Sequence, residues 1–133
     1  MGYIGQLPGT KALTASDIAD NLITSAKLNY TESTLTDGST VSWDVSTEDV
    51  AKVTLGGNRT LAAPSNGTTG QFISLLVIQD GTGSRTVALG TDYETAAAAG
   101  LTLTSTASAT DLVPYLVVAS SRILLGTPQL AFA

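Results

Sequence analysis

From Asp37 onward, apolar residues alternate with polar ones, and this period of two dictates strands. Val41, Trp43 and Val45 alternate with Ser42, Asp44 and Ser46, and Ala51, Val53 and Leu55 with Lys52 and Thr54. Successive side chains of a strand point to opposite faces, so each segment has one buried and one solvated side. Gly56-Gly57-Asn58 and the stretch from Gly67 to Gly70 supply the breaks between strands. Phe72 to Gln79 is apolar at nearly every position, which predicts a central strand covered on both faces. Asp80-Gly81-Thr82-Gly83 predicts a hairpin connection to a strand carrying Arg85, Val87 and Leu89. A loop from Thr91 to Gly100 follows, with one helical turn over Ala96 to Ala99, and then a short strand at Leu101 to Leu103. Leu112 to Ala119 and Arg122 to Gly126 form a last pair hinged at Ser120-Ser121. Pro114 has no N–H to give to a ladder, which places its strand at an edge or at a bulge. The expected fold class is all-β: an antiparallel, jelly-roll-like β-sandwich of seven or eight strands over residues 31–133.

The first thirty residues lack this period. Gly2, Gly5, Pro8 and Gly9 mark an extended, turn-prone arm. Thr14 or Ser16 can cap a short helix from Ser16 to Leu22, with Asp17 favourably placed in its first turn. Two turns of helix are marginal alone. The chain therefore divides into an N-terminal arm, residues 1–30, and the sandwich. The arm cannot bury Tyr3, Ile4, Leu7, Leu13, Ile18, Leu22, Ile23 and Leu28 by itself, so these are its expected docking residues. At the other end Leu130 and Phe132 are expected either in a last strand or against a neighbouring subunit, the subunit contact being favoured.

Composition narrows the function. The 133 residues hold 6 Lys and Arg against 11 Asp and Glu, a net charge of -5, with no His and no Cys. Thiolate nucleophiles, imidazole bases and the usual zinc ligands are thereby removed. Six scattered basic residues give no footprint for a phosphate backbone, so no nucleic-acid partner is expected. The longest apolar run is far shorter than the ~20 residues of a membrane-spanning helix, so no membrane is expected. The N-terminus has neither the basic nor the continuous apolar segment of a secretory signal. Asp37, Asp44, Glu48, Asp49, Asp80, Asp92 and Glu94 fall in turn-like segments or on polar strand faces and read as solvated carboxylates, not a catalytic pair. Asp80 to Gly83 lacks the ligand density of a calcium loop and the Lys of a phosphate loop. No catalytic residue, metal or cofactor is expected. Trp43 shares a face with Val41 and Val45, which favours core packing over an exposed sugar platform.

Two stretches carry a resemblance. DIADNLITSAKL, Asp17 to Leu28, resembles the short DIADGAITxAKI-like units of bacteriophage tail fibres and related virion proteins. Leu35 to about Leu116 resembles a β-domain of phage and prophage structural proteins, on "DGSTVSWDVS", "AKVTLGGNRTLAAPSNGTTGQFISLLVIQDGTGSRTVALG" and "LTLTSTASATDLVPYLV". The resemblance implies a non-enzymatic virion component and a homotrimer. The first expectation is a capsid decoration (cement) or head-fibre protein on the capsid surface. Its arm would grip the major capsid protein and stabilise the shell by binding only the assembled state. The alternative is a tail-fibre or tail-spike component that binds host receptor glycan through sandwich loops, stacking sugar on Tyr93, Tyr115 or Trp43.

Overall fold

In the computed structural model, which describes residues 32–46 and 48–133, the alternating segments become ten strands. They are β1 (Ser33–Thr34), β2 (Thr40–Val41), β3 (Val50–Leu55), β4 (Arg59–Leu61) and β5 (Phe72–Gln79), then β6 (Val87–Leu89), β7 (Tyr93–Glu94), β8 (Thr110–Ala119), β9 (Arg122–Leu125) and β10 (Gln129–Phe132). One sheet of seven strands runs in the order β1-β3-β5-β8-β9-β7, with β10 also paired to β8, and a second of three runs β2-β4-β6. The arm residues Tyr3 to Leu28 and the helix expected at Ser16 to Leu22 lie outside the described residues.

The all-β, two-sheet architecture is as expected, but its pairing is mixed where an antiparallel sandwich was anticipated. Antiparallel ladders join β8 to β5, β9 and β10. β1, β3 and β5 pair in parallel, as do β2, β4 and β6, and β7 with β9. The reason lies in the turns. Each early connection carries the chain to the opposite sheet, so the next strand of the same sheet comes one circuit later and runs the same way. A parallel pair needs a crossover, and here the short strand of the facing sheet provides it. Asp80 to Ser84 is accordingly a passage between sheets and not a hairpin, since β5 and β6 belong to different sheets. Strands of two residues, such as β1 and β7, are too short for an alternation count to reveal, hence ten strands and not seven or eight, while the strand expected through Val41, Trp43 and Val45 forms only at Thr40–Val41.

Three smaller expectations change. Leu101 to Leu103 forms no strand, although Leu101 and Leu103 pack against the core. The Ala run makes a 3-10 turn, Ala96–Ala98, with left-handed φ of 55° and 56° at Ala97 and Ala98. Pro114 sits in a strand with neighbours on both sides, paired with Ser74 of β5. Its carbonyl accepts the Gly126 N–H at 2.9 Å on the far side. A residue's N–H and C=O point the same way in an antiparallel strand, so the missing donor faces the gap between β9 and β10. A Cβ on Gly126 would stand 3.0 Å from the Pro114 ring, so a glycine suits that gap.

The core lies between the sheets. The large sheet contributes Ala51, Val53, Leu55, Ile73, Leu75, Val77, Val113, Tyr115 and Val117, and the facing side brings Val41, Trp43, Val45, Leu61 and Val87. Tyr115 meets the Trp43 ring edge-on at 6.5 Å and Tyr93 at 5.4 Å, geometries that suit aromatic quadrupoles. Val41, Trp43 and Val45 are all buried, as their alternation predicts.

The turns are tied in a ladder of their own. Asp37, in the first circuit, accepts the Arg59 Nε and Nη2 at 2.7 and 2.6 Å and the Gly56 N–H at 3.2 Å. Asn58 Oδ1 accepts the Thr86 N–H of the third circuit, and the Arg59 N–H goes to the Thr86 carbonyl. In the third turn Asp80 accepts the Thr82 and Gly83 N–H groups and the Arg85 guanidinium. Gly83 there has φ of 76°, and a Cβ on it would stand 2.5 Å from the Ser105 carbonyl oxygen.

Candidate functional site

Strand β5 alternates in burial, not in polarity. Ile73, Leu75, Val77 and Gln79 face the core, while Phe72, Ser74, Leu76 and Ile78 face outward. The expected cover on both faces is therefore absent within the described residues: Phe72 is 72% exposed and Leu76 and Ile78 are half-buried. A run apolar at both parities is the mark of a strand enclosed on both sides. Here one side is enclosed by the fold and the other is open.

The neighbours extend this open face. Side chains opposite one another in register share a face. Phe72 stands opposite Leu116, Ser74 opposite Pro114, and Leu76 opposite Leu112. Leu116 stands opposite Leu124 of β9, and Val50 of β3 opposite Ser74. On β10, Phe132 is registered against Thr110. The centre of the face, β5 and β8, carries no charge. Charges occur at its two margins, already paired. Lys52 of β3 holds Glu32 at 2.6 Å, and Arg122 of β9 donates to both Glu94 oxygens at 2.8 and 3.1 Å. An apolar centre with a polar rim is the anatomy of a protein–protein contact.

Leu130 and Phe132, expected as C-terminal interface residues, lie on β10 and are 47% and 54% exposed. The segment is thus a last strand that leaves its apolar side chains in the open. Asp111 holds it. This buried carboxylate accepts the Ala131 N–H at 2.9 Å and the Thr104 N–H and hydroxyl at 2.6 and 2.7 Å.

Asp37, Asp44, Asp49, Asp80 and Glu94 are hydrogen-bond acceptors in structural contacts. Hydrogen bonds from Arg59, Arg85 and Arg122 hold Asp37, Asp80 and Glu94 below the usual carboxylate range. The Ser46 amide and hydroxyl and the Asn66 amide do the same for Asp44. Asp49 accepts the Gln71 amide at 2.7 Å. Asp37, Asp44, Asp80 and Glu94, so held, stay ionised and have no proton to donate as general acids. Among the described residues no group of three or more metal-ligating side chains comes together.

Trp43, Tyr93 and Tyr115, named as sugar-stacking candidates, are buried. Desolvation raises the Tyr93 and Tyr115 hydroxyl pKa values above the ordinary tyrosine range. The Tyr93 hydroxyl donates to the Ala62 carbonyl at 3.0 Å, whereas that of Tyr115 finds no partner among the described residues. These rings build the core, Tyr93 and Tyr115 at inward positions of β7 and β8 and Trp43 in the segment after β2, and a glycan platform on them is ruled out. Among the described residues the open aromatics are Phe72 and Phe132. Sequence reasoning missed the Phe72 face because an unbroken apolar run does not say which molecule covers its second side.

The chain matches a protein family whose description reads "Putative phage tail fibre C-terminal domain", over residues 34–119. No curated protein sequence matches the chain. No solved structure matches it either.

Proposed function

The chain belongs to the phage tail fibre C-terminal domain family, and on that premise we propose that it works in the tail as a structural, non-enzymatic component of the virion. The family match over residues 34–119, which takes in β2 to β8 and the turn ladder between them, carries this reading. It supports the tail-fibre alternative over capsid decoration. With a tail placement, the reason to expect the major capsid protein as partner falls away.

The part played there is mechanical. The motif residues Asp37, Asn58 and Arg59 are spent on tying successive turns together and Asp80 and Arg85 on closing the third turn, and none of these side chains is left over for chemistry. The module offers a rigid body with one wide apolar face and exposed loops. Host material would meet the loops and not an aromatic platform, since Trp43, Tyr93 and Tyr115 are interior.

Antibodies raised against the folded protein test the placement on intact particles. Gold label at the tail, together with slowed adsorption to host cells, is the expected result. Label spread over the head with adsorption unchanged would return the protein to the capsid surface.

A further inference from the structure

The open face of the large sheet is a contact surface in want of an occupant, and we infer that the occupant is the same face of further copies of this chain. Three observations carry this. First, the charge pattern suits self-contact. The molecule carries a net charge of -5, so two copies approaching at random repel. On this face the centre is neutral, and the marginal charges, Lys52 with Glu32 and Arg122 with Glu94, are satisfied within one chain. A partner of opposite charge would find nothing here to pair with, whereas an identical neutral surface meets no opposing field.

Second, the area is sufficient. β5 has eight residues, ~27 Å at about 3.4 Å per residue, and four strands (β3, β5, β8 and β9) at ~4.8 Å spacing span ~19 Å. Each copy then offers roughly 500 Å². Two apposed copies cover on the order of 1,000 Å², the lower bound of a specific interface, and three faces converging on an axis cover about half as much again. A patch of that size on a lone chain would be at the upper end of what monomers leave exposed.

Third, the residues are those of an interface centre. Phe72, at 72% exposure, leads a cross-strand row through Leu116 to Leu124. Such rows offer ridges and grooves that a second sheet can fill, and aromatic anchors dominate contacts of this kind. Sheets packed face to face in this way sit ~10 Å apart. This inference holds wherever on the virion the module is mounted.

The test uses the full-length chain. Sedimentation equilibrium from about 1 to about 100 µM should give a multiple of the 13.5 kDa chain mass. Phe72→Asp should raise the dissociation constant at least tenfold with an unchanged circular dichroism spectrum. The absence of cysteine allows a second measurement that does not depend on how Phe72→Asp folds. Ser74→Cys, at the centre of the face, should cross-link copies with a short bis-maleimide, whereas Ala88→Cys, exposed on β6 of the other sheet, should not. A monomer at 100 µM would overturn the inference. So would assembly that Phe72→Asp leaves intact, or cross-linking through Ala88→Cys in place of Ser74→Cys.

Discussion

The two faces of strands β5 and β8 have nearly the same composition and opposite fates. Inward, Ile73, Leu75, Val77, Val113, Tyr115 and Val117 are closed over by the small sheet and its turns. Outward, Phe72, Leu76, Ile78, Leu112 and Leu116 are as apolar, yet they stand half-buried or open. The difference lies in what is opposite, not in residue type. Burial of the inner face is completed within the described residues, whereas the outer face is left uncovered by them. Hydrophobicity read along a strand reports the sum of the two, and only the fold separates them.

The comparison can be broken most directly by truncating adjacent leucines. Leu75→Ala should cost about 2–5 kcal/mol, because a fully buried leucine leaves a cavity. Leu76→Ala should cost about 1 kcal/mol or less in the dissociated chain. Urea denaturation at low protein concentration measures both, and equal losses would show that the outer face is closed within one chain. A smaller effect is expected at the inner face's one charged member. Asp111→Ala removes three hydrogen bonds to a carboxylate and should cost about 1.5–3 kcal/mol. Amide exchange should quicken at Ala131 and Thr104, and unchanged protection there would mean that β10 is held by its ladder alone. The smallest effect is the sharpest. Tyr115→Phe removes a buried hydroxyl that has no partner among the described residues, so stability should stay level or rise by up to about 1 kcal/mol. A loss would show that the hydroxyl is bonded in the folded chain.

Much of the fold was legible in the residues. Alternation at Val41, Trp43 and Val45 and at Ala51, Val53 and Leu55 identified the buried parity correctly, because a period of two is a direct imprint of one-sided burial. The glycine-rich turns were also marked. What they connect was not, since Asp80-Gly81-Thr82-Gly83 has the composition of a hairpin turn and serves instead as a passage between sheets. Turn chemistry is local, and the choice between a return and a crossing is made by distant contacts such as the Gly83 approach to Ser105. Pro114 misled for a similar reason. Its missing donor is harmless in an interior strand because Gly126 opens a gap beside it, a pairing across sequence that no single position discloses. Of the exposed apolar side chains, Leu130 and Phe132 stand out by their place near the C-terminal end of the sequence, whereas Phe72 and Leu116 read as core.

The place of β8 in the large sheet has a consequence for how the molecule is made. The ten-residue strand at the middle of that sheet, Thr110–Ala119, leaves the ribosome after the six strands that wind between the sheets. Until it arrives, the eight-residue ladder edge of Phe72–Gln79 lies bare along its whole length, apolar on both sides, which is the form of strand most prone to pairing with a stranger. Synthesis must run past residue 119 before this edge is sealed, and a nascent chain stalled short of residue 110 is therefore the species most exposed to aggregation.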